Sequence, residues 1–458
     1  MDQSKLQFYY NTNTFCVYPV RLLIFILKQL RIKERFKIVR DSRLRTGTYS
    51  LESLLMVGLY HFLFRSESKN NFYQSYYQGR SYRSLSRLAE IDQNRFPVVK
   101  TLDDLFMMLN PKDLEPFLFN LFKDLCRKKV LANNTKGFFL TIDAYCSHCY
   151  GQTSGHMRCP YCLKRERKDK VWYLHVNVVA SLVFPDGFQL PLYTHRLKAQ
   201  NKWAPLSNRK FKEECELSVF PLILAKIREY LPRIKLTVLL DALYANTGAI
   251  DLLNQYRMGY AIVLKKLALS KKLKKPNKLQ RNVKAVFEKK RFNLCQTFRF
   301  CKATHGSLLL NVVDLAEVCQ KKPSKRFAFI HLRKTHWQWI VHQTLTENNV
   351  RSICSDARLR WKEEDLFNTL KNRGFHATHD FSRNFQASSI WLSLMMIAFA
   401  LSSIILYSRL GMLARQKKCS IRFFMQQMMQ DLLYLCPTLL FDCPYPKQLR
   451  FSISSQAG

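Results

Sequence analysis

The stretch "KGFFLTIDAY" (Lys136–Tyr145) changes the rhythm of the chain. Before it, apolar residues recur at helical spacing; here a short, nearly continuous apolar run follows a glycine and ends in Asp143. Such a run reads as a buried strand. "VWYLHVNVVASLVF" (Val171–Phe184) and "IKLTVLLDALY" (Ile234–Tyr244) read the same way, and the apolar run of the second also ends at an acid, Asp241. The amphipathic "CELSVFPLILAKIREYL" (Cys215–Leu231) lies between them, so strands and helices share one α/β domain.

Towards the N-terminus, "RLLIFILKQLRIKERFKIVRDSRLR" (Arg21–Arg45) alternates apolar and basic residues at helical spacing. Ser50 is placed to cap the helix that follows, and Thr101 to cap a later one. Residues 1–125 are thus expected to form a helical, basic, DNA-binding region. Towards the C-terminus, a lysine-rich stretch (Lys265–Arg291) precedes "TFRFCKAT", "SLLLNVVDL", "RFAFIHLR" and "WQWIVHQTL", which alternate like antiparallel strands. The expected organisation is a first core segment over 126–264, a β-rich insertion over 265–346, the rest of the core over 347–415, and a tail over 416–458. The uncharged "IWLSLMMIAFALSSIILY" (Ile390–Tyr407) is near the lower length limit for a membrane span. Its serines, its charged flanks and its lack of a second such segment favour a buried core helix.

The 458 residues, 47% of them hydrophobic, are enough for a large core and exclude a disordered chain. Seventy-four Lys and Arg against 33 Asp and Glu give a net charge of +41, more than solubility requires, and point to a polyanion, with nucleic acid first. Fourteen cysteines without a secretory leader pattern speak for metal sites or buried thiols in a cytoplasmic, nucleoid-associated protein. There is no P-loop, G-x-S-x-G elbow or G-x-G-x-x-G turn.

A third acid comes from "RLRWKEEDLFNTLKN" (Arg358–Asn372). On a helix Arg360, Glu364 and Lys371 share one face, a carboxylate flanked by cations. Asp143, Asp241 and Glu364 together suit two Mg²⁺ (or Mn²⁺) ions, which take oxygen ligands and can activate a nucleophile and stabilise a leaving oxygen in phosphoryl transfer. Glu363 competes with Glu364 for that role.

These residues resemble those of DDE-type insertion-sequence transposases, whose RNase H-like core carries a β-strand insertion before the glutamate helix. "LTIDAY" is similar to the first-aspartate strand of that family, "TVLLDALYAN" to the second, and Arg360, Glu364 and Lys371 match the spacing of its glutamate motif, with Ala357 where the family has Tyr. The resemblance spans about Ser50 to Leu410. It implies an enzyme cutting and joining DNA at element ends, with catalytic Asp143, Asp241 and Glu364, DNA contacts from Arg360, Lys371 and Lys265, and a dimer in the synaptic complex. The alternative is a decayed copy that acts only as a zinc-containing DNA-binding protein.

The second motif is "CSHCYGQTSGHMRCPYC", where Cys146 and Cys149 precede Cys159 and Cys162. Two Cys-x-x-Cys turns can offer four thiolates to a tetrahedral, structural Zn²⁺, with His148 and His156 as substitutes. This zinc-knuckle-like insertion occupies 146–162. His175, inside an apolar strand, reads as a core histidine.

Overall fold

The computed structural model describes residues 19–43, 47–77, 80–92, 96–131, 137–150, 159–167, 170–199, 214–264, 281–289, 292–305, 308–321, 331–379, 381–408 and 421–434. Lys265, most of the lysine-rich stretch and His156 lie outside them.

The helical N-terminal region comprises α1 (Pro19–Gln29), α2 (Ile32–Arg35), α3 (Leu51–Leu63), α4 (Lys69–Tyr77), α5 (Arg80–Ala89), α6 (Val99–Met108) and α7 (Glu115–Arg127). Ser50 caps α3 as expected, its hydroxyl accepting the Ser53 N–H at 3.2 Å. Thr101 caps nothing: α6 starts two residues earlier, with Val98 at the cap position. Pro97 lies just upstream, where a proline suits the approach to a helix, and the chain is already helical at Val99.

Ten strands follow: β1 (Phe138–Tyr150), β2 (Leu163–Arg167), β3 (Lys170–Val183), β4 (Gln189–Arg196), β5 (Leu236–Leu240), β6 (Gly259–Val263), β7 (Arg281–Lys289), β8 (Phe292–His305), β9 (Leu308–Lys321) and β10 (His331–Val341). They form one sheet in the order β2-β3-β1-β5-β6-β10-β9-β8-β7, with β4 also on β3. β1, β5 and β6 run parallel, and β3 runs antiparallel to β1. Two helices, α8 (Glu216–Tyr230) and α9 (Thr247–Gln255), make the crossovers into β5 and β6 that parallel neighbours require. The β-rich insertion β7–β10 is antiparallel throughout and continues the sheet from β6 through β10. The end of "RFAFIHLR" (His331–Arg333) and the start of "WQWIVHQTL" belong to the same strand, β10, and the first five residues of the former lie outside the described residues.

The remaining helices are α10 (Val350–Ala357), α11 (Lys362–Asn372), α12 (Phe385–Tyr407) and α13 (Ile421–Tyr434). α12 is the one helix among the described residues long and apolar enough to cross a membrane, yet 83% of its apolar window is buried inside the protein. It packs on α3, α6 and β4, with Asn384 capping its start. Trp391 sits at the centre, its ring 4.9 Å from Phe106 and 5.8 Å from Phe62. The apolar run is therefore the hub of the core, as its serines and flanks indicated. The architecture is a mixed α/β fold with a helical N-terminal region and a β-rich insertion.

Candidate metal centre and the neighbouring acid cluster

The β2–β3 hairpin builds the metal centre. Its register sets Leu163 opposite Leu174, which brings the turn ending at Cys162 beside His175. The Cys162 N–H closes that turn on the Cys159 carbonyl at 3.3 Å. His175 Nε2 then lies 3.3 Å from Cys159 Sγ and 3.1 Å from Cys162 Sγ. These two nitrogen–sulfur separations are close to the edges of about 3.5 Å that ligand bonds of about 2.0–2.3 Å give in a tetrahedron, and all three ligand atoms lie within 4.8 Å of one another. The contact with Cys162 lowers the Cys159 thiol against the effect of burial, with His175 adding to it, so the thiolate that a metal needs is favoured. The Tyr161 ring in the same turn lies tilted against Phe385, centroids 6.1 Å apart, and Arg196 bridges Asn177 and Ser388, so the hairpin is braced on the start of α12.

This corrects the expected ligand set. Cys159 and Cys162 belong to it; Cys146 is exposed and outside it, and the Cys149 side chain lies outside the described residues. His175 is a ligand candidate and not merely a core histidine. β1 pairs His148 with His175 and Cys149 with Leu174 along the backbone.

The acids gather on the other side of β1. Asp143 lies within β1, two residues past its parallel pairing with β5, and Asp241 follows β5 directly, its carboxylate accepting the Leu243 N–H at 2.8 Å. Arg358–Trp361 forms a 3-10 turn that leads into α11 and aims Arg360 between two acids: Nη1 is 3.4 Å from Asp143 and Nη2 3.0 Å from Glu364. Burial raises the Asp143 pKa, and Asp241 and Glu364 add to that rise while Arg360 opposes it. Burial also pushes Glu216 up to about 7, with Asp143 and Asp241 contributing. Lys371 lies over the Tyr145 ring at 5.7 Å.

Asp143, Asp241 and Glu364 are therefore neighbours electrostatically without being a metal cage. Among the described residues, the only group whose ligand atoms converge on one ion is Cys159, Cys162 and His175. That finding overturns the expected Mg²⁺ centre and, with it, the DDE-type transposase enzyme working by two-metal phosphoryl transfer. The physical reason is visible at Arg360, whose guanidinium stands between two of the acids and offsets their repulsion. Arg360, expected to contact DNA, is engaged by Asp143 and Glu364.

Glu363 and Glu364 have opposite fates. Glu364 is exposed, whereas Glu363 is fully buried and accepts hydrogen bonds from Thr141 Oγ1 and, at 3.2 Å, Ser181 Oγ. Burial pushes its pKa up to about 8, with Asp143 adding to the rise and Thr141, Ser181 and Arg360 opposing it. Between 4.5 and about 8 the folded protein holds a proton that the unfolded chain has lost. Stability should then fall as pH rises through that window, by at most about 1.4 kcal/mol per unit, and level off above it. Glu363→Gln should flatten that part of the slope, checked by melting temperatures across pH 5 to 9. Parent and variant curves that stay parallel would refute it.

No family model matches the sequence, and no curated protein does.

Proposed function

We propose that the protein is a zinc-containing DNA-binding protein without catalytic turnover, the decayed-transposase reading of the sequence. The observation that carries it is the convergence of Cys159, Cys162 and His175 in a chain of net charge +41. Two thiolates and an imidazole prefer Zn²⁺ over the hard cations of phosphoryl transfer, and they sit in a hairpin turn, where such an ion holds structure. The excess of cations suits the phosphate backbone, whose recognition needs charge more than sequence-reading groups. The strand order β4-β3-β1-β5-β6, with β3 alone reversed between β4 and the parallel set, supports an RNase H-like core as the scaffold. Arg360 between Asp143 and Glu364 supports a cluster held together by an internal cation.

The test uses the full chain, a labelled DNA duplex and metal analysis. Expected are a single zinc per chain, saturable duplex binding with a Kd of about 10⁻⁶ M or tighter at moderate salt, and supercoiled plasmid left intact with Mg²⁺. Protein that fails to bind duplex at about 10⁻⁴ M sinks the proposal. Nicking that disappears in Glu364→Gln would sink its non-catalytic half.

A further inference from the structure

On the face of α11 turned away from Asp143, Lys362, Asp365, Thr369 and Arg373 line a cleft of about 300 Å³, closed on its far side by α12 and the β3–β4 turn. At its base is Arg65, just past the end of α3, only 7% exposed. Arg65 Nε and Nη1 are buried without a hydrogen-bond partner. Its stem lies flat on Gly374, where an added Cβ would stand 3.0 to 3.3 Å from Arg65 carbons, and its guanidinium stacks 3.4 Å above the Phe375 ring. Gly374 has φ +92°, a conformation suited to glycine, so the contact that fixes the arginine is built into the backbone.

A buried cation needs compensation. The Phe375 face supplies part of it, but no donor bond is satisfied by a ring. Burial alone lowers Arg65 to about 9, with no carboxylate among the causes, so it is still charged near neutral pH. Lys362 and Arg373 bring two more cations to the same cleft, from α11 and its C-terminal end. Across from them, Gly187 leaves room: a Cβ there would meet the Tyr407 hydroxyl at 2.7 Å and come within 3.9 Å of Lys362 Nζ.

We propose that this cleft binds a small free phosphate, held on the buried Arg65 guanidinium with Lys362 and Arg373 at its mouth. Cations that reach one anion from different directions suit a tetrahedral oxyanion better than a planar carboxylate, which a single guanidinium fork satisfies. The cleft also has two acids in its wall, Asp186 and Asp365, the latter 3.5 Å from Lys362 Nζ. These repel a fully ionised anion and accept a hydrogen bond from one that keeps a proton. Phosphate near pH 7 carries P–OH groups, whereas sulfate has none. The wall therefore selects phosphate over sulfate. A backbone phosphate of duplex DNA cannot reach a guanidinium so deeply enclosed, so this site is separate from the DNA-binding reading and does not rest on it.

The test is isothermal titration of the full chain with inorganic phosphate, sulfate and acetate at constant ionic strength. Expected is saturable phosphate binding with a Kd of about 1 mM or tighter, at least about tenfold weaker for sulfate and acetate. Arg373→Gln, at an exposed position where folding is not at stake, should weaken phosphate about tenfold, as should Lys362→Met. Arg65→Met should abolish it; if that variant does not fold, the two mouth variants decide. Absence of saturation, equal binding of sulfate, unchanged affinity in both mouth variants, or displacement of phosphate by duplex DNA would each overturn the assignment.

Discussion

His175→Ala should reduce bound zinc from a single ion per chain to less than about a tenth, because a structural site that loses one of its ligands loses most of its affinity. Cys162→Ser should do the same, and Cys146→Ser should change nothing, since Cys146 is exposed and outside the cluster. The turn at Cys159–Cys162 is braced through Tyr161 on Phe385, at the start of the core helix, so losing the ion loosens more than a surface loop. If the ion contributes about 4 kcal/mol to folding, the melting temperature should drop by roughly 4 °C. The fourth ligand is read from the same assay: whichever of Cys149→Ser and His148→Ala lowers zinc content identifies it. Metal analysis of purified protein with parallel melts is the measurement, and a His175→Ala protein that keeps the parental zinc content would defeat the assignment.

The histidine was hidden for a definite reason. In "WYLHVN" it stands among apolar strand residues, and a strand pattern says which face a residue occupies, not which turn the neighbouring strand presents to it. Only the pairing of Leu163 with Leu174 puts Cys162 beside His175. A signal was nevertheless present: Cys159, Cys162 and His175 are spaced as Cys-x2-Cys-x12-His, a common opening of zinc-binding sequences. The two Cys-x-x-Cys pairs already make up a complete set of four thiolates without it.

The strands that carry Asp143 and lead into Asp241 were legible because buried apolar runs of that length have few alternatives, but β1 does not end at Asp143 as its apolar run suggested: pairing with β3 carries it on to Tyr150. The Arg360–Glu364 contact was legible too, since residues four apart on a helix meet. What spacing could not show was that a 3-10 turn over Arg358–Trp361 sets the phase of α11. That phase drives Glu363 into the sheet on Thr141 and Ser181 and leaves Glu364 outside. Nor could it show Arg360 reaching a second acid, Asp143, more than two hundred positions away in the chain. Distances between acids from different strands are tertiary quantities, and a three-acid pattern in sequence is compatible with a metal cage or with a cluster closed by an internal guanidinium.

Raising salt from 50 to 200 mM should weaken duplex binding about a thousandfold or more, with log K falling linearly in log salt. The expectation follows from charge: with 74 Lys and Arg and 33 Asp and Glu, the chain has far more cations than internal partners for them. Each phosphate neutralised releases condensed counterion, so six to ten contacts give a slope of roughly −5 to −9. Arg360 should contribute nothing to that slope, being held by Asp143 and Glu364. Glu364→Gln should therefore bind duplex at least as tightly as the parent, since it removes a negative charge and frees one arm of that guanidinium. Fluorescence anisotropy over a salt series measures both. A flat response would remove the backbone as the main partner, and a large loss of binding in Glu364→Gln would place the acid at the DNA surface, where an internal ion pair has no reason to be.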